Sequence, residues 1–175
     1  MKRTIIGLAI AVAVVSGCSD DDGDVASGSP ATESPTPGST APADAPEFTP
    51  ATILIDGAEE GLILLQGEVA DTDESRGYGL MGRTSLPDDY GMAFILFEEK
   101  DCCFYMRDTL VPLSIAFFDR DGLIVHFEDM DPCKPSEDEC PLFGSDQPYI
   151  GALEVNQGLF EEWGVSEGDR IRIVQ

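Results

Sequence analysis

The chain has 175 residues, with 34 acidic side chains against 10 basic ones and a single histidine, for a formal charge of −24. A charge of that sign and size repels phosphate backbones and anionic lipid headgroups, which excludes nucleic acid as a partner. It keeps a protein soluble and attracts cations, but it does not choose a mechanism.

Lys2 and Arg3 precede an uncharged apolar run, Ile5 to Val15, which is of signal-peptide length and too short to span a bilayer as a helix. The run closes on Val14-Val15-Ser16-Gly17-Cys18, small residues before a cysteine, and resembles the lipobox of bacterial lipoproteins. That resemblance implies cleavage of residues 1–17, lipidation of Cys18 and a location on the extracytoplasmic face of the membrane. Removing Lys2 and Arg3 leaves 8 basic and 34 acidic residues, 8 − 34 = −26. Residues 18–50 are rich in Ser, Thr, Pro, Gly, Ala and Asp. They cannot bury enough apolar surface to offset backbone entropy, so the reading there is a disordered tether.

From Ala51 to Gln175 the pattern reads as one domain. Strands are expected over 51–55 and 62–70, and Asp71 with Glu74 has capping-box spacing ahead of a short helix over 72–82. Gly91 to Phe97 and Cys102 to Met106 read as two further strands, and Leu113 to Phe118 is apolar on both faces, as a covered central strand would be. Asp119 to Gly122 is a hairpin turn into a strand over 123–128. Tyr149 to Val155 gives another strand. Asn156 is then placed to cap a short helix that buries Leu159, Phe160 and Trp163, and Asp169 to Val174 closes the chain as a strand. Short strands with two short helices predict a compact, β-dominated α+β domain, a partly closed barrel.

With Cys18 lipidated, four cysteines remain, and outside the cytoplasm they favour disulfides. Cys133 and Cys140 bracket a short polar loop that closes easily, a bond worth about 2.5 kcal/mol on the chain-entropy model. A Cys102–Cys103 bond would need a distorted peptide, so the partners of those two stay open.

Several segments carry a second resemblance. They are Gly79-Leu80-Met81-Gly82-Arg83, Gly91-Met92, Phe104-Tyr105-Met106-Arg107-Asp108-Thr109-Leu110-Val111-Pro112-Leu113, Asp121-Gly122, Met130 with Pro132-Cys133, Leu153-Glu154-Val155-Asn156-Gln157-Gly158, and Gly168-Asp169. In order and spacing they resemble the domain-of-unknown-function family 192, over about residues 52–174. The family pattern has Trp at the Tyr105 position, Lys at Arg107 and Asn at Asp108. The resemblance implies a small β-rich fold and carries no activity.

The candidate site follows from residue chemistry. Arg107 suits a carboxylate or phosphate, with Asp108 and Thr109 to orient it; an Arg107–Asp108 pair pinning the loop is the structural alternative. Glu154 points from an otherwise apolar strand with no structural excuse, and Arg83 is a further contributor because basic residues are scarce. The leading expectation is a small anionic or polar ligand, or an envelope protein, bound at Arg83, Arg107, Asp108, Thr109 and Glu154. An extracytoplasmic hydrolase using Asp108 and Glu154 as acid and base is the alternative. Copper or zinc handling by His126, Met130, Cys133 and Cys140 is weaker, since the spacing matches no zinc pattern. No cofactor motif is present.

Overall fold

The structure is a computed structural model, and it describes residues 41–58, 61–133 and 139–175. Cys18, its leader and most of the tether lie outside the described residues, as does the loop 134–138.

Seven strands and two short helices make up the domain. They are β1 (Thr49–Ala58), β2 (Gly61–Ala70), α1 (Asp73–Tyr78), β3 (Tyr90–Tyr105), β4 (Leu113–Phe118), β5 (Ile124–Met130), β6 (Leu142–Asn156), α2 (Leu159–Glu162) and β7 (Arg170–Val174). The strands form a single sheet in the order β5-β4-β6-β3-β2-β1-β7. All neighbours run antiparallel except β2 and β3, whose parallel pairing is reached by the crossover through α1. The sheet curls into a half-barrel. Its two edge strands meet at one end, where Leu123 bridges Arg170 and the Ile171 amide donates to the Gly122 carbonyl at 2.8 Å. That contact satisfies edge groups that would otherwise be open to another chain. The β-dominated α+β expectation holds.

Alternation along the strands sends side chains to two faces, and each face has its own core. Inside the curl, Ile53, Leu65, Ala93, Ala116, Leu153 and Val155 pack with Leu159 and Phe160 of α2, and Phe127 meets Phe160 with ring centroids 5.3 Å apart. On the other face, Met92, Phe94, Leu113, Ile115, Phe117 and Ala152 pack beneath α1 and the loops around it, with Leu80 and Met106. Strand β4 is buried at every position, as its two-sided apolarity predicts. Burying a side chain such as Phe117, 0% exposed, contributes roughly 1.5–3 kcal/mol.

Several local expectations are corrected. The two strands expected over 91–97 and 102–106 are one 16-residue strand, β3. The polar stretch Glu98 to Asp101 lies exposed between them, where β3 and its partner β6 extend beyond the core with register shifts. Exposure, not a chain break, accounts for that polarity. The N-cap of α1 is Thr72 rather than Asp71, in a reciprocal box with Ser75, and the helix ends at Tyr78. Asn156 does not cap α2. Its amide donates to the Leu86 carbonyl at 2.9 Å and to Asp88 at 3.1 Å, tying down the loop before β3. The α2 entry is instead Gly158 at φ 86°, whose amide donates to Ser114 Oγ at 2.9 Å. At the other end, β1 starts at Thr49, inside the segment expected as tether, and Phe48 packs against the core.

Candidate functional site

The row of residues crossing the sheet through Glu154 builds the site. Register places Met92 of β3 beside Glu154 on one side and Ile115 of β4 on the other. Glu154 therefore projects onto the face that carries Met92, Phe94 and Ile115, and it is only 5% exposed. Its carboxyl makes no hydrogen bond among the described residues and lies within 4 Å of no cationic side chain there. Burial alone pushes its carboxyl up to about 8 from an ordinary 4.5, so it is mostly protonated at neutral pH.

Above Glu154 lies a cavity of about 280 Å³. One wall is the end of α1 and the turn after it, Tyr78 to Met81; another is the far half of β3 with Phe94, Leu96 and Phe104. Phe94 and Phe104 meet edge to face at 5.1 Å. Gly79 helps make the room: its φ of 52° suits a residue without a Cβ, and a Cβ there would come within 3.2 Å of the Phe94 ring. Arg76, Lys100, Tyr78 and Tyr105 bring polar groups to the lining, as do Tyr149 and Thr109. Tyr149 of β6 is 1% exposed, its hydroxyl is buried without a hydrogen-bond partner, and burial with the nearby Asp101 pushes its pKa to about 12. Thr109 is 5% exposed and its hydroxyl has no partner among the described residues. Burying the Tyr149 hydroxyl unpaired costs about 1–3 kcal/mol, and with the low exposure of Glu154 and Thr109 on the same lining it marks the cavity as a candidate site.

The chain reaches Thr109 through a tight turn. The Thr109 amide donates to the Met106 carbonyl at 3.3 Å, and the Gly82 amide donates to the Asp108 carbonyl at 2.9 Å. Asp108 sits at φ 54°, the left-handed region that Asn and Asp tolerate best among residues with a Cβ. The turn sends Thr109 inward and leaves Arg107 and Asp108 exposed outside the cavity, with no ion pair between them or to any described residue. Of the expected site residues, the structure brings together Thr109 and Glu154. Arg107 and Asp108 are not with them, and neither the acid–base pair of Asp108 with Glu154 nor an Arg107–Asp108 pin forms.

Arg83 is elsewhere and engaged through its terminal nitrogens. It is 1% exposed, pairs with Glu68, donates to the Tyr90 hydroxyl at 2.9 Å, and lies over the Tyr90 ring at 5.3 Å from the centroid. Tyr90 in turn donates to Glu68. This network joins β2, the loop before β3 and β3 itself.

Cys133 and Cys140 are bonded, with Cα atoms 5.5 Å apart. Cys102 and Cys103 are bonded to each other across a cis peptide at the rim of the cavity. Two of the four groups considered for copper or zinc are therefore joined as a disulfide. His126 faces Glu128 at 3.6 Å and Glu167 at 3.8 Å instead, and Met130 is buried. Tyr149 is the site residue that sequence reasoning passes over. As an aromatic opening a strand it reads as core, and only the packing around its hydroxyl reveals the missing partner.

A family model matches residues 55–173: DUF192, described as Uncharacterized ACR. The chain belongs to the DUF192 family. Two solved structures are similar to it. A proposed transcription regulator from Sinorhizobium meliloti 1021 is 28% identical, with a TM-score of 0.66 over 73% of this chain and 96% of that one. A protein of unknown function from Novosphingobium aromaticivorans DSM 12444 is 26% identical, with a TM-score of 0.64 over 78% of this chain and 93% of that one. No curated protein matches the chain.

Proposed function

We propose that this DUF192 protein is a lipid-anchored, extracytoplasmic binding protein whose folded domain takes a small polar ligand in the cavity above Glu154. The observation that carries this reading is the set of Glu154, Tyr149 and Thr109, three buried polar side chains on the lining of one cavity of about 280 Å³, with the Tyr149 hydroxyl lacking a hydrogen-bond partner among the described residues. Unsatisfied groups of that kind are costly to the fold, and a ligand that satisfies them recovers the cost. Anchoring rests on the lipobox at Cys18, with residues 19–48 as the tether and the domain beginning at β1. The ligand reading moves from anionic to polar, because Arg107 faces away from the cavity, whose lining combines Arg76, Lys100 and a mostly protonated Glu154. The regulator designation of the Sinorhizobium structure does not extend to this chain, whose charge of −24 repels DNA.

A fragment screen of the purified protein by two-dimensional NMR tests the binding reading. Hits are expected to shift Thr109, Tyr149 and Glu154 together, and a library with no hit there overturns it. Radioactive palmitate incorporation, abolished by Cys18→Ser, tests the anchor; incorporation that survives the substitution overturns that part.

A further inference from the structure

Glu154 is a buried carboxyl that the protein does not answer, and the groups facing it narrow what would. On α1, the Arg76 guanidinium is committed: it donates to the Asp71 carbonyl at 2.6 Å and the Ile95 carbonyl at 2.9 Å, and pairs with Asp73 at 2.5 Å. On β3, the Lys100 ammonium lies 3.5 Å from Glu98. From β4 the neighbour is Ile115, and Thr109 of the turn and Tyr149 of β6 stand on the same cavity lining. Tyr78 and Tyr105, also on the lining, bring phenols and no charge at neutral pH. Among the described residues no cationic nitrogen lies within 4 Å of this carboxyl, although Arg76 and Lys100 stand on the same lining.

We infer that the cavity is an amine site, taking a small organic ammonium whose nitrogen rests on Glu154 and whose hydrocarbon part lies among the surrounding rings. The inference rests on the small-ligand reading above. A primary ammonium carries three N–H donors, and the cavity offers three kinds of acceptor oxygen, the Glu154 carboxylate and the hydroxyls of Tyr149 and Thr109. Five aromatic rings line the same space, Tyr78, Phe94, Phe104, Tyr105 and Tyr149, and ring faces attract cations most strongly where water is excluded. The charge of −24 raises the local concentration of cations and of no other ligand class. Binding makes and breaks no covalent bond except one O–H. Glu154 is mostly protonated in the empty protein, so its proton passes to the buffer as the ammonium docks.

Calorimetry of the whole protein with three probes on one scaffold, benzylammonium, benzyl alcohol and benzoate, separates the cases. Benzylammonium is expected to bind about tenfold or more tighter than benzyl alcohol, with benzoate weakest. Heats measured in two buffers of different ionisation enthalpy should report release of most of one proton per ammonium bound. Affinity for benzylammonium should rise from about pH 6 to about pH 8, the approach to the Glu154 midpoint. Glu154→Gln should abolish both the proton release and the preference for the ammonium. If that variant does not fold, proton release by the parent protein decides alone. Benzyl alcohol bound as tightly as benzylammonium, or ammonium binding without proton release, overturns the inference. If the alcohol shifts Thr109 and Tyr149 while the ammonium does not, the amine inference falls and the small-ligand reading stands.

Discussion

Glu68 and Glu154 stand in one row across the sheet, both beside Met92, which pairs with Glu68 through the parallel β2–β3 ladder and with Glu154 through β6. Their surroundings differ completely. Glu68 keeps 27% of its side-chain surface exposed and is met by the Arg83 guanidinium and the Tyr90 hydroxyl. Glu154, more deeply buried, lines a cavity, and its carboxyl has no ion-pair or hydrogen-bond partner among the described residues. A fold that needed only packing would put an apolar residue at position 154, between Met92 and Ile115. The comparison shows two settings for an acidic side chain in this domain: Glu68 locks strands and loop together, and Glu154, on the proposed reading, is open to a ligand.

The largest effect is expected from breaking the answered side. Arg83→Leu leaves Glu68 and Tyr90 without their cation and should cost about 3–5 kcal/mol in urea unfolding. A cost below about 1 kcal/mol would mean the network is no more than a surface pair.

The unanswered side should behave in the opposite sense, and through pH. A glutamate in the unfolded chain titrates near 4.5, whereas burial holds Glu154 up to about 8. Between those values the folded state binds more protons, so its stability falls as pH rises from about 4.5 and the loss is complete above about 8. Glu154→Gln removes that slope. It should match the parent protein at low pH and exceed its stability by a few kcal/mol above about pH 8. Denaturant melts across this range check it, and parallel curves for the two proteins would contradict it.

Two tyrosines sharpen the contrast at smaller scale. Tyr90→Phe removes a hydroxyl bonded to both Arg83 and Glu68 and should cost about 1–2 kcal/mol. Tyr149→Phe removes a hydroxyl with no partner and should change stability by less than about 0.5 kcal/mol, or raise it. Equal costs in thermal unfolding would erase the distinction between the two sites.

Much of this was legible in the chain, for local reasons. The two-sided apolarity of Leu113 to Phe118 announced a covered strand, and the loop between Cys133 and Cys140 announced its bond. Glu154 stood out because an acid among Leu153, Val155 and Ala152 has no local explanation. What failed depended on distant partners. Arg83 looked available because Glu68 and Tyr90 reach it only after the sheet forms, 15 and 7 residues away in sequence. Asn156 has the chemistry of a cap, but Leu86 and Asp88, about 70 residues upstream, take its amide. Arg107 and Asp108 were grouped with Glu154 by chemistry, and the left-handed turn at Asp108 directs them away. Such separations are set by tertiary packing, which residue type and spacing do not encode.

The most direct test of the account is a carbon-13 NMR titration of the Glu154 side-chain carboxyl in the ligand-free protein, assigned by comparison with Glu154→Gln. The account predicts a midpoint near 8, well apart from the remaining glutamates. A midpoint near 4.5, together with the others, would show that Glu154 is already answered by solvent or by the protein, and would contradict it.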